Sequence, residues 1–493
     1  MTDSVRSVPD LLRAAAVGRP EEIALVDERG RLTWQELDER VTRAARALLA
    51  EGPVPGDRVG LRLPTGIELA VLYLGAIRAG LVAVPIDPAT TEPEAGHILA
   101  DSGATLCVDS ANAARILAHG SAGPAGDARL PDVRGGEDVA VLLYTSGTTG
   151  APRGAMLSHR ALLANLDQLA AVEPPLLTAD DVLFVPLPLT HVFGLNAGLG
   201  MALRTGATTV LAGRFDPAAT LARMADEGVT AVAAVPGQYA AWLRRPELGA
   251  GFARVRMAMS GSATLGRGVV AGYAELGVRL YDGYGLTEAA PVIALNAAGE
   301  PRAGSVGRPL PGVEVQLRDP DGTVVEADGG DPGRIFVRGA NLFSGYWPDG
   351  ADGPDADGWF GTGDIAMQDA DGELHLVGRS AELVIVNGFN VYPAEVEAVL
   401  GADPAVAEVA VTGVPDERTG EAVHAYVVPA RGATVRPEDL LAAAARSLAR
   451  FKLPSVIEVV TELPHTVTGK VMKWVLGAGP GAASDGEHDD GGH

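Results

Sequence analysis

Residues 8–118 alternate between the hydrophobic patterns of helices and of strands, and this alternation restricts the possible folds more than any other feature. In LTWQELDERVTRAARALLAEG, Leu37, Val41 and Leu48 recur at helical spacing on one face, and Gly52 ends the pattern. The stretch DRVGLRL then has the pattern of a strand, and ELAVLYLGAIRAG has that of another helix. Such alternation predicts a layered α/β fold.

The rest of the chain indicates further structural units, and 493 residues are enough for about three of them at ~150 residues each. Between residues 305 and 378, short strands such as VEVQL, GRIFVRG and ELHLVG are broken by DPDG and DADG turns, which predicts a small antiparallel β unit. Residues 381–476 combine strand patterns with the helix patterns PAEVEAVL and PEDLLAAAARSLARF, which predicts an α+β domain. The final stretch, GPGAASDGEHDDGGH, has the composition of a disordered tail.

Charge and composition exclude several classes of protein. The formal net charge of −24 argues against nucleic acid as a partner, because phosphate binding needs a basic face. No stretch approaches the ~20 apolar residues of a membrane span, and the first residues lack the pattern of a signal peptide. The single cysteine, Cys107, cannot form an internal disulfide, and its apolar neighbours predict that it is buried. We therefore expect a soluble, cytoplasmic protein.

The loop YTSGTTGAPRG, residues 144–154, directly follows VAVLLY, which has the pattern of a buried strand. Its glycines allow backbone N–H groups to converge on one point, and its Ser and Thr hydroxyls add further donors. Such a cluster of donors suits a phosphate chain, although the loop lacks the Gly-Lys-Ser/Thr ending of a Walker A motif. The loop is therefore predicted to bind the phosphates of a nucleotide.

This loop resembles the signature of the adenylate-forming superfamily, which includes acyl-CoA synthetases, aryl-CoA ligases, luciferases and peptide-synthetase adenylation domains. Four later stretches resemble the superfamily's other motifs in the same order: YDGYGLTE (281–288), GWFGTGD (358–364), GRSAELVIVNGFNVYPAEVE (378–397) and LPHTVTGKVMKW (463–474). Five motifs in order are a specific signal, and they are most similar to those of AMP-dependent acid–CoA ligases.

The resemblance implies an α/β fold in which the large N-terminal domain, residues 1–378, consists of two α/β subdomains and a small β-barrel-like unit. It implies a small, mobile α+β C-terminal domain at residues 379–480, before the acidic tail at 481–493. It also implies ATP, Mg²⁺ and coenzyme A as cofactors or co-substrates, a carboxylic acid as the partner, and a monomer or homodimer.

The resemblance further implies a nucleotide site in which Tyr284 stacks on adenine, Thr287 donates to a phosphate, and Asp364 and Arg379 hold the ribose. The chemistry of these side chains agrees, since an aromatic face suits adenine and a carboxylate oxygen suits Mg²⁺. The expected ATP- and AMP-binding residues are Thr145, Ser146, Gly147, Thr148, Thr149, Gly150, Arg153, Ser262, Ala263, Asp282, Gly283, Tyr284, Gly285, Thr287, Asp364, Arg379 and Lys470. The expected metal ligands are Glu288 and Thr149.

Lysine is rare in this chain, which has only Lys452, Lys470 and Lys473. By resemblance, Lys470 reaches the bond that forms between the carboxylate and the α-phosphate of ATP, where a compact ammonium can contact oxygens of both anions. Lys473 is expected to make a structural or phosphate contact, and Lys452 to pack or to contact a cofactor. The expected catalytic residues are Lys470, Glu288, Thr287 and His191.

The stretch PLPLTHVFGLNAGL, residues 186–199, is expected to form one wall of the acyl pocket, with His191 either in the aromatic gate or as an ordinary buried histidine. Its apolar residues disfavour an amino acid, because an unpaired ammonium group there would be costly. The expected acyl-pocket residues are His191, Val192, Phe193, Val235, Gly261, Ala289 and Pro291. The expected residues of the coenzyme A tunnel are Gly388, Phe389 and Asn390.

Two positions depart from the superfamily's pattern. Arg153 stands where lysine is usual, and Ala381 stands where the hinge usually has Lys or Asp. The first exchange keeps a cation beside the phosphate loop, although the two side chains are not equivalent. The second exchange, at Ala381, is expected to affect the rate at which the C-terminal domain switches position and the efficiency of the thiol step.

The expected reaction is formation of an acyl-adenylate followed by transfer to coenzyme A, and two alternatives stay open. The first is an enzyme that passes the acyl group to a carrier protein or to a nitrogen nucleophile. Acyl-AMP ligases carry an insertion near the hinge, and no extra segment occurs between residues 378 and 397. The second is a silent nucleotide-binding module, against which the combination of Lys470, Glu288 and Asp364 argues.

Overall fold

The computed structural model describes residues 5–119, 130, 135–145, 152–263, 265–297, 304–325, 331–386, 389–416, 418–465 and 471–477. The chain separates into two compact units. The first unit consists of Met1–Gln316, Phe336–Thr362 and Gln368–His375, and the second consists of Leu317–Ile335, Gly363–Met367 and Leu376–His493.

Helices and strands alternate through most of the first unit, as the sequence pattern predicts. The helices of the first unit are α1 Val8–Gly18, α2 Trp34–Ala50, α3 Ile67–Arg78, α4 Glu92–Ser102, α5 Ala113–His119, α6 His159–Ala170, α7 Met201–Thr205, α8 Pro217–Asp226, α9 Pro236–Leu243, α10 Leu248–Gly251 and α11 Arg267–Glu275. Those of the second unit are α12 Pro393–Leu400, α13 Pro437–Ala444 and α14 Lys473–Gly477. A π-helix, Phe193–Gly200, precedes α7. The 3₁₀ turns are Thr287–Ala289, Ser380–Glu382 and Arg450–Lys452.

The strands of the described residues include matches, to within one residue at either end, to the predicted patterns DRVGLRL, VAVLLY, VEVQL, GRIFVRG and ELHLVG. They are β1 Ile23–Asp27, β2 Gly30–Thr33, β3 Arg58–Arg62, β4 Val82–Pro85, β5 Leu106–Asp109, β6 Val139–Thr145, β7 Arg153–Ser158, β8 Val182–Val185, β9 Thr208–Leu211, β10 Ala231–Ala234, β11 Met257–Ser260, β12 Leu280–Gly285, β13 Val292–Leu295, β14 Arg308–Pro309, β15 Val313–Arg318, β16 Gly333–Gly339, β17 Phe360–Gln368, β18 Leu374–Arg379, β19 Val384–Val386, β20 Phe389–Val391, β21 Val406–Asp416, β22 Gly420–Pro429 and β23 Val456–Val459.

Two sheets form the framework of the first unit. The five-stranded sheet has the order β5-β3-β4-β6-β7, and only β7 runs antiparallel to its neighbour. The nine-stranded sheet has the order β14-β13-β12-β11-β10-β8-β9-β1-β2, and its strands from β12 to β1 are parallel. Parallel strands with helical connections bury both faces of a sheet, which explains the near-continuous apolar runs in the sequence.

Helix α2 shows how the local sequence determines an element. The Thr33 hydroxyl accepts a hydrogen bond from the Glu36 N–H at 3.2 Å, and the Glu36 carboxylate accepts one from the Thr33 N–H at 2.9 Å. This capping box fixes the start of the helix. The predicted apolar face is buried, since Leu37, Val41 and Leu48 have no exposed surface. The prediction of an α/β fold is confirmed.

The second unit has its own sheet and core. Its strands have the order β20-β19-β22-β21, and β23 pairs in parallel with β22. Helices α12 and α13 contribute Val396 and Leu440 to a core that also contains Val411 and Val423. This is the α+β arrangement that the sequence predicts. The predicted helix after Pro437 is shorter than expected, because the chain turns after Ala444 and buries Leu448 in this core.

Other predictions have mixed outcomes. Strands β15 to β18 form a four-stranded sheet in chain order, at the place of the predicted β unit. Cys107, which was predicted to be buried, is only partly buried, because β5 is the edge strand of its sheet. It is a free thiol. The tail from residue 479 onward lies outside the described residues, and the division at residues 378 and 379 stays a prediction. Among the described helices, none is both long enough and apolar enough to cross a membrane.

Candidate active site

The carboxyl ends of two neighbouring parallel strands bring predicted site residues together in the first unit. Ser260 at the end of β11 is in register with Asp282 in β12, so that Gly261 and Gly283 are adjacent as well. Ligands of open α/β sheets bind at this edge, where the strands end. Tyr284, two residues after Asp282, is 6% exposed. The strand ends therefore gather the residues expected to contact the adenine and the acyl group.

Asp282 has an electrostatic environment that differs from that of a surface carboxylate. Burial raises its pKa to about 7, although backbone N–H groups of Leu265 and Gly283 act in the opposite direction. Its Oδ1 and the hydroxyl of Ser260 are buried and have no hydrogen-bond partner among the described residues. A carboxyl group of this kind is protonated to a large extent at neutral pH.

Glu288 lies in the 3₁₀ turn after β12, and its side chain has a specific donor. The phenol O–H of Tyr346 donates to Glu288 Oε1 at 2.5 Å. Burial and the Glu288 carboxylate raise the pKa of Tyr346 above its ordinary value, so the phenol remains protonated and acts as the donor. Glu288 is only 9% exposed, which means that this hydrogen bond compensates for water that the carboxylate has lost.

Tyr346 also reaches the predicted phosphate loop. The backbone of Tyr346 forms an antiparallel β-bridge with that of Ala155, and the N–H of Trp347 donates to the Gly154 carbonyl at 2.8 Å. The Arg153 guanidinium lies over the Tyr346 ring, with 3.9 Å from its central carbon to the ring centroid. Arg153 also forms an ion pair with Asp352 at 2.7 Å. One tyrosine therefore contacts both the cation beside the phosphate loop and the predicted metal ligand.

Buried asparagines hold the turn that carries Glu288. Asn196 of the π-helix donates to the Ala290 carbonyl at 2.7 Å, and Asn341 donates to the Ala289 carbonyl at 2.8 Å. Asn165 of α6 exchanges two hydrogen bonds with the backbone of Val292, at 2.7 and 3.1 Å. These asparagines are at most 2% exposed, so each satisfies backbone groups that water cannot reach. They hold the backbone that directly follows Glu288.

The predicted acyl wall is apolar. Val192 and Phe193 are buried at the start of the π-helix, and a Cβ atom at Gly261 would lie 3.3 Å from the Phe193 ring. The Nδ1 atom of His191 accepts a hydrogen bond from the Phe193 N–H at 3.3 Å. Burial lowers the pKa of His191, so its imidazole is neutral and carries its proton on Nε2. Ala289 and Pro291 are buried next to Glu288, and Val235 is half-buried before α9.

In the second unit, the two residues expected at the ribose pair with each other. Asp364 and Arg379 form an ion pair at 3.1 Å. The hinge residue Ala381 lies in the 3₁₀ turn Ser380–Glu382, directly after Arg379. Lys473 forms ion pairs with Glu382 at 3.0 Å and with Glu397 at 2.7 Å.

The remaining residues of the second unit are placed in part. Phe389 begins β20, is 55% exposed and stacks on Phe451 with 4.7 Å between ring centroids. Asn390 lies in the same strand, and Lys452 forms an ion pair with Glu395 at 2.7 Å. Several predicted residues lie outside the described part of the chain, namely Ser146, Gly147, Thr148, Thr149, Gly150, Gly388 and Lys470.

Sequence comparison identifies the family of this chain. The family model of AMP-binding enzymes matches residues 12–347, and the model of their C-terminal domain matches residues 395–470. The chain belongs to the AMP-binding enzyme family. Its motifs resembled those of this superfamily, and the resemblance is confirmed.

Individual relatives of this AMP-binding enzyme extend along nearly its whole length. It is 38% identical over 458 residues to a feruloyl-CoA synthase of an Amycolatopsis species, covering 90% of this chain and 92% of the relative. It is 33% identical over 531 residues to a long-chain-fatty-acid–CoA ligase of Yersinia pestis, covering 96% and 94%. The ATP-bound crystal structure of MatB from Rhodopseudomonas palustris matches with a TM-score of 0.88 at 34% identity, covering 95% and 98%. The prediction of an AMP-forming acid–thiol ligase of the acyl-CoA synthetase type is confirmed.

The AMP-binding enzyme thus gathers one group of predicted residues in its first unit, namely Thr145, Arg153, His191, Phe193, Gly261, Asp282, Tyr284, Thr287, Glu288 and Ala289, and a smaller group in its second unit. Thr145 pairs with Arg153 across strands β6 and β7, at the two ends of the phosphate loop.

Ser262 and Ala263 follow β11 and are exposed, and Ser262 has a φ of 72°, a left-handed conformation that non-glycine residues rarely adopt. Gly285 ends β12 where a Cβ atom would lie 2.1 Å from the Pro291 carbonyl oxygen, so only glycine fits. The individual roles of all these residues stay predictions.

Sequence reasoning missed Tyr346 and the three asparagines. Tyr346 is 58 residues from Glu288 in the chain, and GYW carries no spacing signal for this contact. The donor set nevertheless suits Mg²⁺, since one buried carboxylate beside a phosphate loop leaves the remaining positions to water and phosphate oxygens. Among the described residues, no group of three or more His, Cys, Asp or Glu side chains could hold a metal by itself.

Proposed function

We propose that this enzyme joins an apolar or aryl carboxylic acid to coenzyme A through an acyl-adenylate, with ATP and Mg²⁺, in the cytoplasm. The observation that carries the proposal is the contact chain from Arg153 through Tyr346 to Glu288. It joins a cation at the phosphate loop to a buried carboxylate beside an apolar wall. The names of the relatives support the same chemistry, since a feruloyl-CoA synthase and a long-chain-fatty-acid–CoA ligase both form acyl-CoA thioesters.

In the first step, a carboxylate oxygen of the acid attacks the α-phosphorus of ATP, and the bond to the β-phosphate breaks. The products are acyl-adenylate and pyrophosphate. Negative charge increases on the leaving pyrophosphate and at the α-phosphate, so positioned cations supply most of the catalysis. We assign this task to Lys470 and Arg153. Mg²⁺ would be held by Glu288 with Thr149 and phosphate oxygens, where it neutralises charge on the triphosphate.

In the second step, the thiol of coenzyme A attacks the carbonyl carbon of the acyl-adenylate, and AMP leaves with the electrons of the broken C–O bond. The thiol proton passes to solvent or to the phosphate of AMP. We assign Gly388, Phe389 and Asn390 to the path of the thiol. The exposed ring of Phe389 and its stack with Phe451 support this assignment, because such a ring can line a path for an extended ligand.

The surroundings of Gly261 favour an acid with an apolar body. A Cβ atom at Gly261 would lie 3.3 Å from the Phe193 ring, and Val192 and Phe193 are both buried, so a group that reaches Gly261 meets an apolar wall. A separate apolar cavity beside Met259 has a volume of about 20 Å³, room for about one water molecule, and is too small for an acyl group. An amino acid would place its ammonium group against the wall of Val192 and Phe193 without a partner. We therefore assign fatty and aryl acids to the pocket at Val192, Phe193 and Gly261.

The deciding experiment is pyrophosphate release from ATP and Mg²⁺ across a panel of fatty, aryl and amino acids, each with and without coenzyme A. We expect release with one apolar class, and a thioester of that acid when coenzyme A is present. The matched control is Lys470→Ala, which should lower release by about 10²–10³-fold, as expected for loss of one transition-state cation. Adenylate formation without any response to coenzyme A would replace the thiol by a carrier protein or a nitrogen nucleophile. Release with amino acids alone would refute the acyl assignment.

A further inference from the structure

A second cavity lies in the first unit and shares no residue with the candidate active site. Its volume is about 530 Å³, and four elements line it: the β1–β2 hairpin, α2, the start of α3 and the end of α5. Strand β2 is six positions from β12 in the nine-stranded sheet. Six spacings of ~4.8 Å correspond to about 29 Å, so this cavity is remote from the strand that carries Tyr284. We call it the arginine cavity.

The arginine cavity has a positive lining in an acidic chain. Four arginines, Arg29, Arg31, Arg40 and Arg43, line it together with two acids, Asp27 and Glu68. The lining therefore carries a formal charge of +4 − 2 = +2, whereas the chain carries −24. A local excess of arginine in such a chain needs an explanation other than overall charge.

Both acids of the lining are already engaged. Asp27 accepts backbone hydrogen bonds from Arg29 and Gly30 with Oδ1, at 2.8 and 3.1 Å, and from Ile67 with Oδ2, at 2.9 Å. Glu68 pairs with Arg29 at 3.1 Å. These contacts hold the hairpin against the start of α3. They leave the charge on α2 to be balanced by other groups.

Of the four arginines in the lining, the two on α2, Arg40 and Arg43, are the least neutralised. Among the residues that the structure describes, no carboxylate pairs with Arg40, and Arg43 has only the long contact of 3.9 Å with Glu39. Arg40 and Arg43 are three residues apart, so their guanidinium groups leave the helix on the same side and repel each other. Arg31, in contrast, pairs with Glu227 at 3.3 Å. An anion between Arg40 and Arg43 would remove the repulsion.

The shape and the remaining lining define the class of ligand. A volume of about 530 Å³ lies within the usual range of small-molecule sites. Guanidinium groups bind phosphate oxygens in pairs, and two adjacent groups suit a dianion. The floor is apolar, since Leu32, Ile67 and Val71 are at most 8% exposed. We propose that the arginine cavity binds a small organic phosphate, with its phosphate between Arg40 and Arg43 and its apolar part on this floor.

The proposal is tested on the full chain with phenyl phosphate as the probe, by titration calorimetry and by the shift in unfolding temperature. The variants are the double exchange Arg40→Gln with Arg43→Gln, and Arg46→Gln as the control. Arg46 is exposed on the same helix and does not line the cavity, so its loss removes charge without touching the site. Kinetics with ATP and the circular dichroism spectrum establish that each variant is folded and active.

We expect the wild type to bind the probe, the double variant to bind at least tenfold more weakly, and Arg46→Gln to bind as the wild type does. Restoring both charges as Arg40→Lys with Arg43→Lys should recover part of the affinity, because lysine keeps the charge and loses the paired donors. Absence of binding by the wild type, equal binding by the double variant, or equal weakening by Arg46→Gln would each overturn the proposal. Binding of poly-glutamate in place of the phosphate would overturn it in favour of an acidic protein partner.

Discussion

The phenol oxygen of Tyr346 lies 2.5 Å from Oε1 of Glu288, and the same ring lies beneath the Arg153 guanidinium. This one side chain therefore contacts the predicted metal ligand and the predicted phosphate cation. The Glu288 carboxylate is nearly buried, so it depends on this donor for its orientation. The relationship makes Tyr346 a positioning residue for Glu288, and it leads to the first prediction.

Tyr346→Phe should lower kcat for pyrophosphate release by about tenfold and raise the Mg²⁺ concentration needed for half-maximal rate. The ring that supports Arg153 remains, and only the donor to Glu288 is lost, at a cost of about 1–3 kcal/mol for a hydrogen bond to a charged group. The measurement is the initial rate against Mg²⁺ concentration. Tyr273→Phe is the control, because the Tyr273 hydroxyl donates to the Tyr239 carbonyl at 3.1 Å within the core. An equal change in Mg²⁺ dependence in both variants would mean that Tyr346 only stabilises the fold.

Arg153→Lys should keep the rate within about threefold of the wild type, whereas Arg153→Gln should lower kcat/KM for ATP at least tenfold. The phosphate loop needs the cation, and lysine supplies it without the stacking on Tyr346. Asp352→Asn should have little effect on stability, about 0–1 kcal/mol, because the Asp352 side chain is 70% exposed. Equal losses in the lysine and glutamine variants would show that the planar guanidinium itself is required.

The sequence predicted the parts of the site that depend on local patterns. Strand β6 is determined by neighbours in the chain, so its position could be expected, whereas the stretch that carries Tyr284 and Glu288 was expected to form the site from its resemblance alone. The contacts of Tyr346, Asn165, Asn196 and Asn341 join residues 52–127 positions apart, and no periodicity encodes such pairs. The arginine cavity was missed for the same reason, since four separate elements form it.

Asp282 predicts a pH-dependent stability. Its pKa is about 7 in the folded protein because of burial, and about 3.9 in an unfolded chain. Between about pH 4 and about pH 7 the carboxyl of the unfolded chain has lost its proton, whereas that of the folded protein keeps it. The free energy of unfolding therefore falls as pH rises from about 4 to about 7, and it is constant above about pH 7. Asp282→Asn should remove this slope and raise the free energy of unfolding at pH 7.5, by at most about 4 kcal/mol. Urea unfolding at pH 5 and at pH 7.5 measures both effects, and a wild type without the slope would contradict the buried carboxyl.

Lys473 at the start of α14 links this helix to the turn Ser380–Glu382 through Glu382 and to α12 through Glu397. Desolvation lowers its pKa, but the two carboxylates outweigh burial and raise it overall, so Lys473 is charged at neutral pH. Lys473→Met would leave two carboxylates facing each other and should destabilise the second unit by about 2 kcal/mol. The measurement is chemical unfolding, with Lys452→Met as the control, since Lys452 pairs with one carboxylate, Glu395, in the described part of the chain.

The same variant should separate structure from chemistry at the catalytic segment. If Lys473 positions Lys470, Lys473→Met should lower the rate of adenylate formation more than the rate of thioester formation from pre-made acyl-adenylate. Adding Glu382→Gln to Lys473→Met should restore part of the stability, because one of the two unpaired carboxylates is then neutral. Equal loss in both half-reactions, with no recovery in the double variant, would assign Lys473 to general stability only.

Gly261 offers the sharpest test of the acyl pocket. A Cβ atom there would already lie 3.3 Å from the Phe193 ring, so a larger side chain must occupy the space in front of this ring. Gly261→Leu should raise KM for the preferred acid at least tenfold, with KM for ATP changed less than threefold, because a filled pocket excludes the acid and leaves the nucleotide contacts. Gly268→Leu is the control, since a Cβ atom at that exposed helix position meets no atom within 4 Å. Gly261→Ala should give an intermediate effect that is larger for bulky aryl acids than for linear acids of equal carbon number. An unchanged KM for the acid in Gly261→Leu would place the acyl group elsewhere and would refute the assignment of Gly261 to its pocket.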